Sequence, residues 1–201
     1  MSNFFLNLLF PIKCLGCERT GEYLCSDCLL SVPLNESSAQ IKNINLIAAV
    51  DYHHPLIKKA IHNYKYNFIQ ELAKPLASLM VRRLAIEITT GENTVLVPVP
   101  LHPRRLRWRG FNQAELLAKE ISQHSNIPVA DCLIRKRYTS PQMKIQDAFK
   151  RKINIQNAFQ LKYRPAEEII LIDDVSTSGA TLEECAKLFN REVRALVVAK
   201  G

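Results

Sequence analysis

At 201 residues, 47% apolar and 23% charged, the chain has enough for one good-sized core plus a small appendage, which excludes disordered and collagen-like classes. Its net charge of +8 favours polyanionic partners: phosphorylated metabolites, nucleic acid or an acidic membrane face. No apolar run approaches the ~20 residues needed to span a bilayer.

The N-terminal stretch MSNFFLNLLFPIK lacks the basic start and small-residue cleavage site of a secretory signal. It reads as a short amphipathic helix packing Phe4, Phe5, Leu8 and Leu9 onto the protein, with shallow membrane contact as the alternative. Next comes Cys14-x2-Cys17-x7-Cys25-x2-Cys28. Two close CxxC knuckles suit four thiolates around Zn2+ at about 2.3 Å each better than they suit disulfides, and imply a reducing cytoplasm. With all four positions filled by protein, such a site is structural. Cys132 and Cys185 lie in apolar surroundings and read as core. Residues 1–33 therefore form a zinc module, the polar stretch 34–44 a linker, and residues 45–201 the main domain.

Within that domain, residues 45–52 read as a strand and residues 54–67 as a helix with Leu56, Ile57, Ala60, Ile61 and Tyr64 on one face. A second helix is expected over 68–88, a strand over 94–100 stopped by its prolines, a helix over 110–125 and a strand over 128–134. Residues 135–160 have no clean period and read as a long loop. A strand over 168–175, a helix over 180–190 and a strand over 193–199 finish the chain. Strands separated by helices, with unbroken apolar runs such as Ile169–Ile172, imply an α/β doubly wound fold around a mostly parallel sheet.

The sharpest motif is Ile169-Ile170-Leu171-Ile172-Asp173-Asp174-Val175-Ser176-Thr177-Ser178-Gly179-Ala180-Thr181. A buried strand delivers two carboxylates to its carboxyl end, where ligands bind in open α/β sheets. A turn of small hydroxyl residues then opens a helix, whose free N–H groups and positive dipole end seat a phosphate. Thr177, Ser178 and Thr181 add hydroxyl donors. Beside a phosphate, paired carboxylates suit a vicinal diol; since they repel a bare polyphosphate, Mg2+ is the expected mediator. Simple helix capping needs one such residue and leaves the rest of the run unexplained.

This segment resembles the phosphoribosyl-pyrophosphate motif of type I phosphoribosyltransferases, with Ser178 where many members have Thr. The resemblance implies that Asp173 and Asp174 hold the ribose hydroxyls, that Ser176, Thr177, Ser178, Gly179, Ala180 and Thr181 bind the 5′-phosphate, and that the sheet is of that family's kind. A second segment, Val97-Pro98-Val99-Pro100-Leu101-His102-Pro103 followed by Arg104-Arg105-Leu106-Arg107-Trp108-Arg109-Gly110-Phe111-Asn112-Gln113-Ala114, resembles the signature of ComF-type (ComFC) competence proteins. So does the order of a four-Cys finger before a phosphoribosyltransferase-like domain, and the resemblance covers essentially the whole chain. It implies a part in natural transformation, handling incoming single-stranded DNA.

Four arginines fall within six positions at 104–109, where two readings stay open. Leu101, His102, Arg104 and Arg105 touch a pyrophosphate, or the arginines face a nucleic-acid backbone. Trp108 can stack a base or pack beneath a loop. Residues 135–152 carry seven Lys/Arg and one acid, and serve as a catalytic lid or as a nucleic-acid arm. Gln142, Arg151 and Asn154 resemble recurrent ComF positions. The candidate nucleic-acid set is Arg107, Trp108, Arg109, Arg135, Lys136, Arg137, Lys144, Lys150, Arg151 and Lys152.

The expected function is thus a ComF-type competence protein with a phosphoribosyl-pyrophosphate site, Zn2+ in the finger and Mg2+ with the sugar diphosphate. The alternative is an active phosphoribosyltransferase on an unknown acceptor, for which no catalytic residue stands out. Expected partners are single-stranded DNA and DNA-uptake machinery such as a helicase or an inner-membrane channel. The expected location is cytoplasmic, with peripheral association at the inner membrane as a variant.

Overall fold

The computed structural model describes residues 11–87, 93–139 and 148–201, so the expected N-terminal helix and the middle of the basic loop lie outside the described residues. In chain order the elements are α1 (Ser26–Leu30), β1 (Ala39–Ile41), β2 (Ile44–Asp51), α2 (Pro55–Tyr66), α3 (Ala73–Glu87), β3 (Thr94–Pro98), α4 (Pro103–Arg109), α5 (Gln113–Ser125), β4 (Leu133–Arg135), α6 (Ala148–Ile155), β5 (Phe159–Leu161), β6 (Glu168–Ser176), α7 (Ala180–Ala186) and β7 (Val193–Lys200). The sheet runs β1-β2-β7-β6-β3, parallel throughout except for the antiparallel edge strand β1.

Both faces of the sheet are covered, as the unbroken apolar strands require. Ile47, Ala49, Ile170, Ile172, Leu196 and Val198 point to one side, where they pack with α2, α3, α5 and the cysteine module. Their neighbours Leu46, Ala48, Ile169, Leu171, Ala195 and Val197 point to the other, against α6, α7 and the small two-stranded β4–β5 sheet. The fold is therefore α/β and doubly wound. Cys14, Leu24 and Val32 share the first of these cores, so the finger is packed onto the domain, and Lys59 Nζ donates to the Leu15 carbonyl at 3.0 Å.

Several boundaries differ from expectation for local reasons. The stretch expected as a linker holds β1, whose Ile41 pairs with Ile44 across a tight turn at Lys42 (φ 52°). The helix expected over 68–88 begins only at Ala73. Phe68 is left-handed (φ 57°), and Pro75 fits in a helix's first turn, where its missing N–H has no partner to lose. The strand expected over 128–134 mostly leaves the sheet: Val129 makes an isolated bridge to Leu96, and β4 pairs with β5 instead. That β5, together with α6, gives structure to a stretch expected to be loop.

Candidate ligand site and cysteine cluster

Strands β3 and β6 are paired in register, with Pro98 opposite Ile172 and the Val99 N–H donating to the Ile172 carbonyl at 2.9 Å. Their carboxyl ends therefore deliver residues 99–105 and 173–181 side by side. The second segment wraps a small cavity of about 50 Å3 lined by Asp173 and by Val175 through Leu182. Gly179 caps α7 with φ 72°, and a Cβ there would come within 3.0 Å of Ile41 Cδ1. This turn is built around a glycine and held by the β1–β2 hairpin. Ser176 is buried, and its Oγ has no hydrogen-bond partner among the described residues.

Asp173, Val175 and Thr181 also line a much larger chamber of about 540 Å3. Leu101, Arg104 and Arg105 form another part of its wall, Trp108, Arg109, Asn112 and Gln113 a third, and Lys65 with Tyr66 closes it from the end of α2. Arg135 and Tyr138 complete the enclosure.

The two acids differ electrostatically. Asp174 is buried and ion-paired with Lys65 Nζ at 2.9 Å. Burial alone lowers the Lys65 pKa, but the charge and hydrogen bond of Asp174, together with the Asp173 charge, raise it overall. Asp173 Oδ1 accepts the Asp174 N–H at 2.8 Å. Burial, reinforced by the Asp174 charge, pushes Asp173 up to about 7. Asp173 therefore titrates near neutral pH.

The arginines divide between the chamber and the outer surface. Arg104 and Arg105 lie over the Tyr138 ring at 4.8 and 5.7 Å, and Arg105 also donates to the Thr139 carbonyl at 2.7 Å. His102, expected near a pyrophosphate, caps α4, its Nδ1 accepting from the Arg104 N–H at 3.2 Å. Arg135 is buried: it donates to Thr139 Oγ1 at 2.6 Å, and burial pushes its pKa down to about 10. Trp108 is exposed and meets Phe68 edge to face at 5.1 Å. Of the nucleic-acid candidates, then, Trp108, Arg109 and Arg135 face the chamber, whereas Arg107, Lys136, Arg137, Lys150 and Lys152 are on the outer surface. Arg137 Nη2 donates to the Asn154 carbonyl at 2.9 Å, and Lys152 approaches Glu183 at 3.7 Å. Gln142, Lys144 and the Arg151 side chain lie outside the described residues.

Lys65 is a chamber residue that sequence reasoning did not single out, and Gln113 stands within the ComF-type signature without an assigned role in the site. Lys65 follows buried Ile61 by four positions, at the margin of the α2 apolar stripe, and that was its one available signal. Gln113 is a buried polar residue at the start of α5.

In the finger, the ligand atoms of Cys14, Cys17, Cys25 and Cys28 lie within 4.8 Å of one another. The Cys25 sulfur is 3.6 Å from those of both Cys14 and Cys17. Tetrahedral bonds of about 2.3 Å place sulfurs roughly 3.8 Å apart, so the set fits a tetrahedral metal ion. Burial raises the Cys14 thiol, but backbone N–H groups of Cys25, Cys17 and Gly16 overcome this and lower it to about 6. Arg19 Nε donates to Cys17 Sγ at 3.4 Å. Cys132 and Cys185 are buried in the second core, as expected. No helix among the described residues is long and apolar enough to cross a membrane.

No protein-family model matches the chain. It is 32% identical over 197 residues to a DNA utilization protein, YhgH, of Escherichia coli K12, spanning 92% of this chain and 85% of the relative. It is 35% identical over 103 residues to competence protein F of Haemophilus influenzae, across 48% of this chain and 44% of the relative. With competence protein ComFC of Bacillus subtilis it shares 30% identity over 146 residues, 72% of this chain and 58% of the relative. Among solved structures, an adenine phosphoribosyltransferase from Leishmania tarentolae superposes with a TM-score of 0.39 at 15% identity, over 82% of this chain and 79% of that one.

Proposed function

The chain belongs to the ComF-type family of competence and DNA-utilization proteins, and on that premise we propose that it handles single-stranded DNA in natural transformation while binding phosphoribosyl pyrophosphate at Asp173–Thr181. The observation that carries this reading is the adjacency of the two compartments: a small glycine-turned cavity and a cation-lined chamber share Asp173, Val175 and Thr181 as a common wall. That order matches a sugar diphosphate laid out as 5′-phosphate, ribose, then pyrophosphate.

In this reading Ser176 through Thr181 bind the 5′-phosphate with hydroxyls and the N–H groups that open α7. Asp173, with Asp174 held in place by Lys65, grips the ribose diol. Arg104 and Arg105 meet the pyrophosphate. Zn2+ fits the four thiolates, consistent with their spacing. Mg2+ fits only alongside the diphosphate, because Lys65, Arg104, Arg105 and Arg109 repel a bare cation and, of the two described chamber carboxylates, Asp174 is already paired with Lys65. When bound, the ion offsets phosphate charge; the protein's own residues orient the sugar.

Single-stranded DNA meets the outer basic surface of Arg107, Lys136, Arg137, Lys150 and Lys152. A labelled oligonucleotide titrated at near-physiological salt, with and without phosphoribosyl pyrophosphate and Mg2+, tests this. Micromolar or tighter binding is expected; no binding at moderate salt refutes it. A second reading, transfer of the phosphoribosyl group to an acceptor, is favoured by the chamber's volume beyond the small cavity. Such a transfer asks mainly for positioning and charge stabilisation.

A further inference from the structure

With a sugar diphosphate occupying the small cavity, Asp173 and the Arg104–Arg105 wall, the remainder of the chamber faces Lys65, Tyr66, Trp108, Arg109 and Gln113. This inference rests on that reading of the site. The remaining wall has a definite chemical character. Gln113 is 3% exposed; its Oε1 accepts from Arg109 Nη1, while its Nε2 is buried without a partner among the described residues. Arg109 Nε is likewise buried and unpartnered, and so is Arg135 Nε. Every buried chamber side-chain atom that lacks a partner among the described residues is therefore an N–H donor.

The charges point the same way. Lys65 is neutralised by Asp174, whereas no carboxylate pairs with Arg109 among the described residues. Burial lowers the Arg109 pKa, so its positive charge is carried at a cost that an incoming anion would relieve. Its guanidinium lies 5.9 Å from the ring centroids of both Tyr66 and Trp108, which supply flat apolar faces beside the donors. Buried donors without partners favour a ligand group that only accepts over a neutral nucleobase, which brings N–H donors of its own. We propose that the second ligand of the chamber is a planar ring carrying an oxyanion, with Arg109 and Gln113 holding the charged group and Tyr66 and Trp108 the ring.

Trp108 is the chain's single tryptophan, so intrinsic fluorescence of the zinc-loaded full-length chain reads the chamber directly. Two matched pairs serve as probes, uridine 5′-monophosphate against uridine and benzoate against benzamide, each titrated with and without phosphoribosyl pyrophosphate and Mg2+. The charged member of at least one pair is expected to bind ten-fold or more tightly than its neutral partner. Read with phosphoribosyl pyrophosphate and Mg2+ present, so that the Ser176–Thr181 cradle is filled, preference within the first pair identifies a phosphate as the oxyanion and preference within the second a carboxylate. Equal or weaker binding of the charged member in both pairs overturns the proposal, as does the absence of any Trp108 response to millimolar probe.

R109Q is expected to abolish the preference and R109K to restore part of it, with a thermal melt confirming the fold. Gln113→Leu gives a second variant if R109Q fails to fold, and a preference surviving in both variants refutes these two residues as the holders. Sugar-diphosphate binding without any charge preference sinks this inference and leaves the reading of the small cavity standing. Oxyanion binding without sugar-diphosphate binding does the reverse.

Discussion

Asp173 and Asp174 are adjacent in sequence but sit differently: Asp174 is ion-paired with Lys65, whereas burial and the neighbouring Asp174 charge raise the Asp173 pKa. A carboxyl whose folded pKa lies above its unfolded value stabilises the fold at low pH, and that contribution is lost as pH rises from about 4 to about 7. Asp173, raised to about 7, is such a group. D173N should therefore raise the Tm at pH 8 by several degrees, at about 2–4 °C per kcal/mol, with the gain vanishing near pH 4. The same change should abolish sugar-diphosphate binding. In the unaltered protein that binding should strengthen as pH rises through about 7, and a flat pH profile would remove Asp173 from the site. Lys65→Met leaves a buried carboxylate unpaired, with an expected loss of about 3 kcal/mol; a melt that does not move would contradict the pairing. In the finger, a Cβ on Gly16 would lie 2.7 Å from Cys28 Sγ. Gly16→Ala should therefore weaken metal retention against a chelator, while Gly21→Ala, with open space around its Cβ, serves as a comparison for backbone strain alone.

At the level of elements, the turn before α7 depends on the β1–β2 hairpin, because Ile41 packs where a side chain at position 179 would go. Gly179→Ala should cost on the order of 1 kcal/mol from the left-handed backbone, plus displacement of Ile41, and should weaken sugar-diphosphate binding. Ile41→Ala in the same chain should recover part of the loss; no recovery would mean that the hairpin does not support the turn. This dependence was hidden in the sequence. The polar stretch around Lys42 reads as a linker because three-residue edge strands leave almost no periodic trace. By contrast β2, β3, β6 and β7 were legible, since a strand buried on both faces shows as an unbroken apolar run. Phe68 misled because its apolar side chain continues the helical period while its backbone breaks the helix. The strands β4 and β5 pair only with each other, a contact between distant segments that no local pattern records.

Across the whole molecule, the cations of the two basic segments behind the net charge of +8 divide into an inner and an outer population. Arg104, Arg105, Arg109 and Arg135 wall the chamber, and Arg107, Lys136, Arg137, Lys150 and Lys152 face outward. The sequence showed how many cations these segments hold; only the packing of α4, α5 and β4 around the sheet's carboxyl edge shows which way they face. The acids, the hydroxyl turn and the four cysteines were legible because each is a contiguous run, whereas Lys65 reaches Asp174 from 109 positions away, as the numbering shows. If the five outward cations contact a strand, log affinity should fall against log salt with a slope of roughly −3 to −4, and Lys136→Ala with Arg137→Ala should shallow it by about 1. A slope unchanged by that pair would move the strand elsewhere. The central claim is the sugar-diphosphate site at the end of β6. Calorimetric titration of phosphoribosyl pyrophosphate with Mg2+ into the zinc-loaded protein, and into a chain carrying D173N and D174N, tests it most directly. The account predicts one site per chain in the unaltered protein, no heat from Mg2+ alone, and no binding by the double variant; equal binding by both proteins, or none by either, would contradict it.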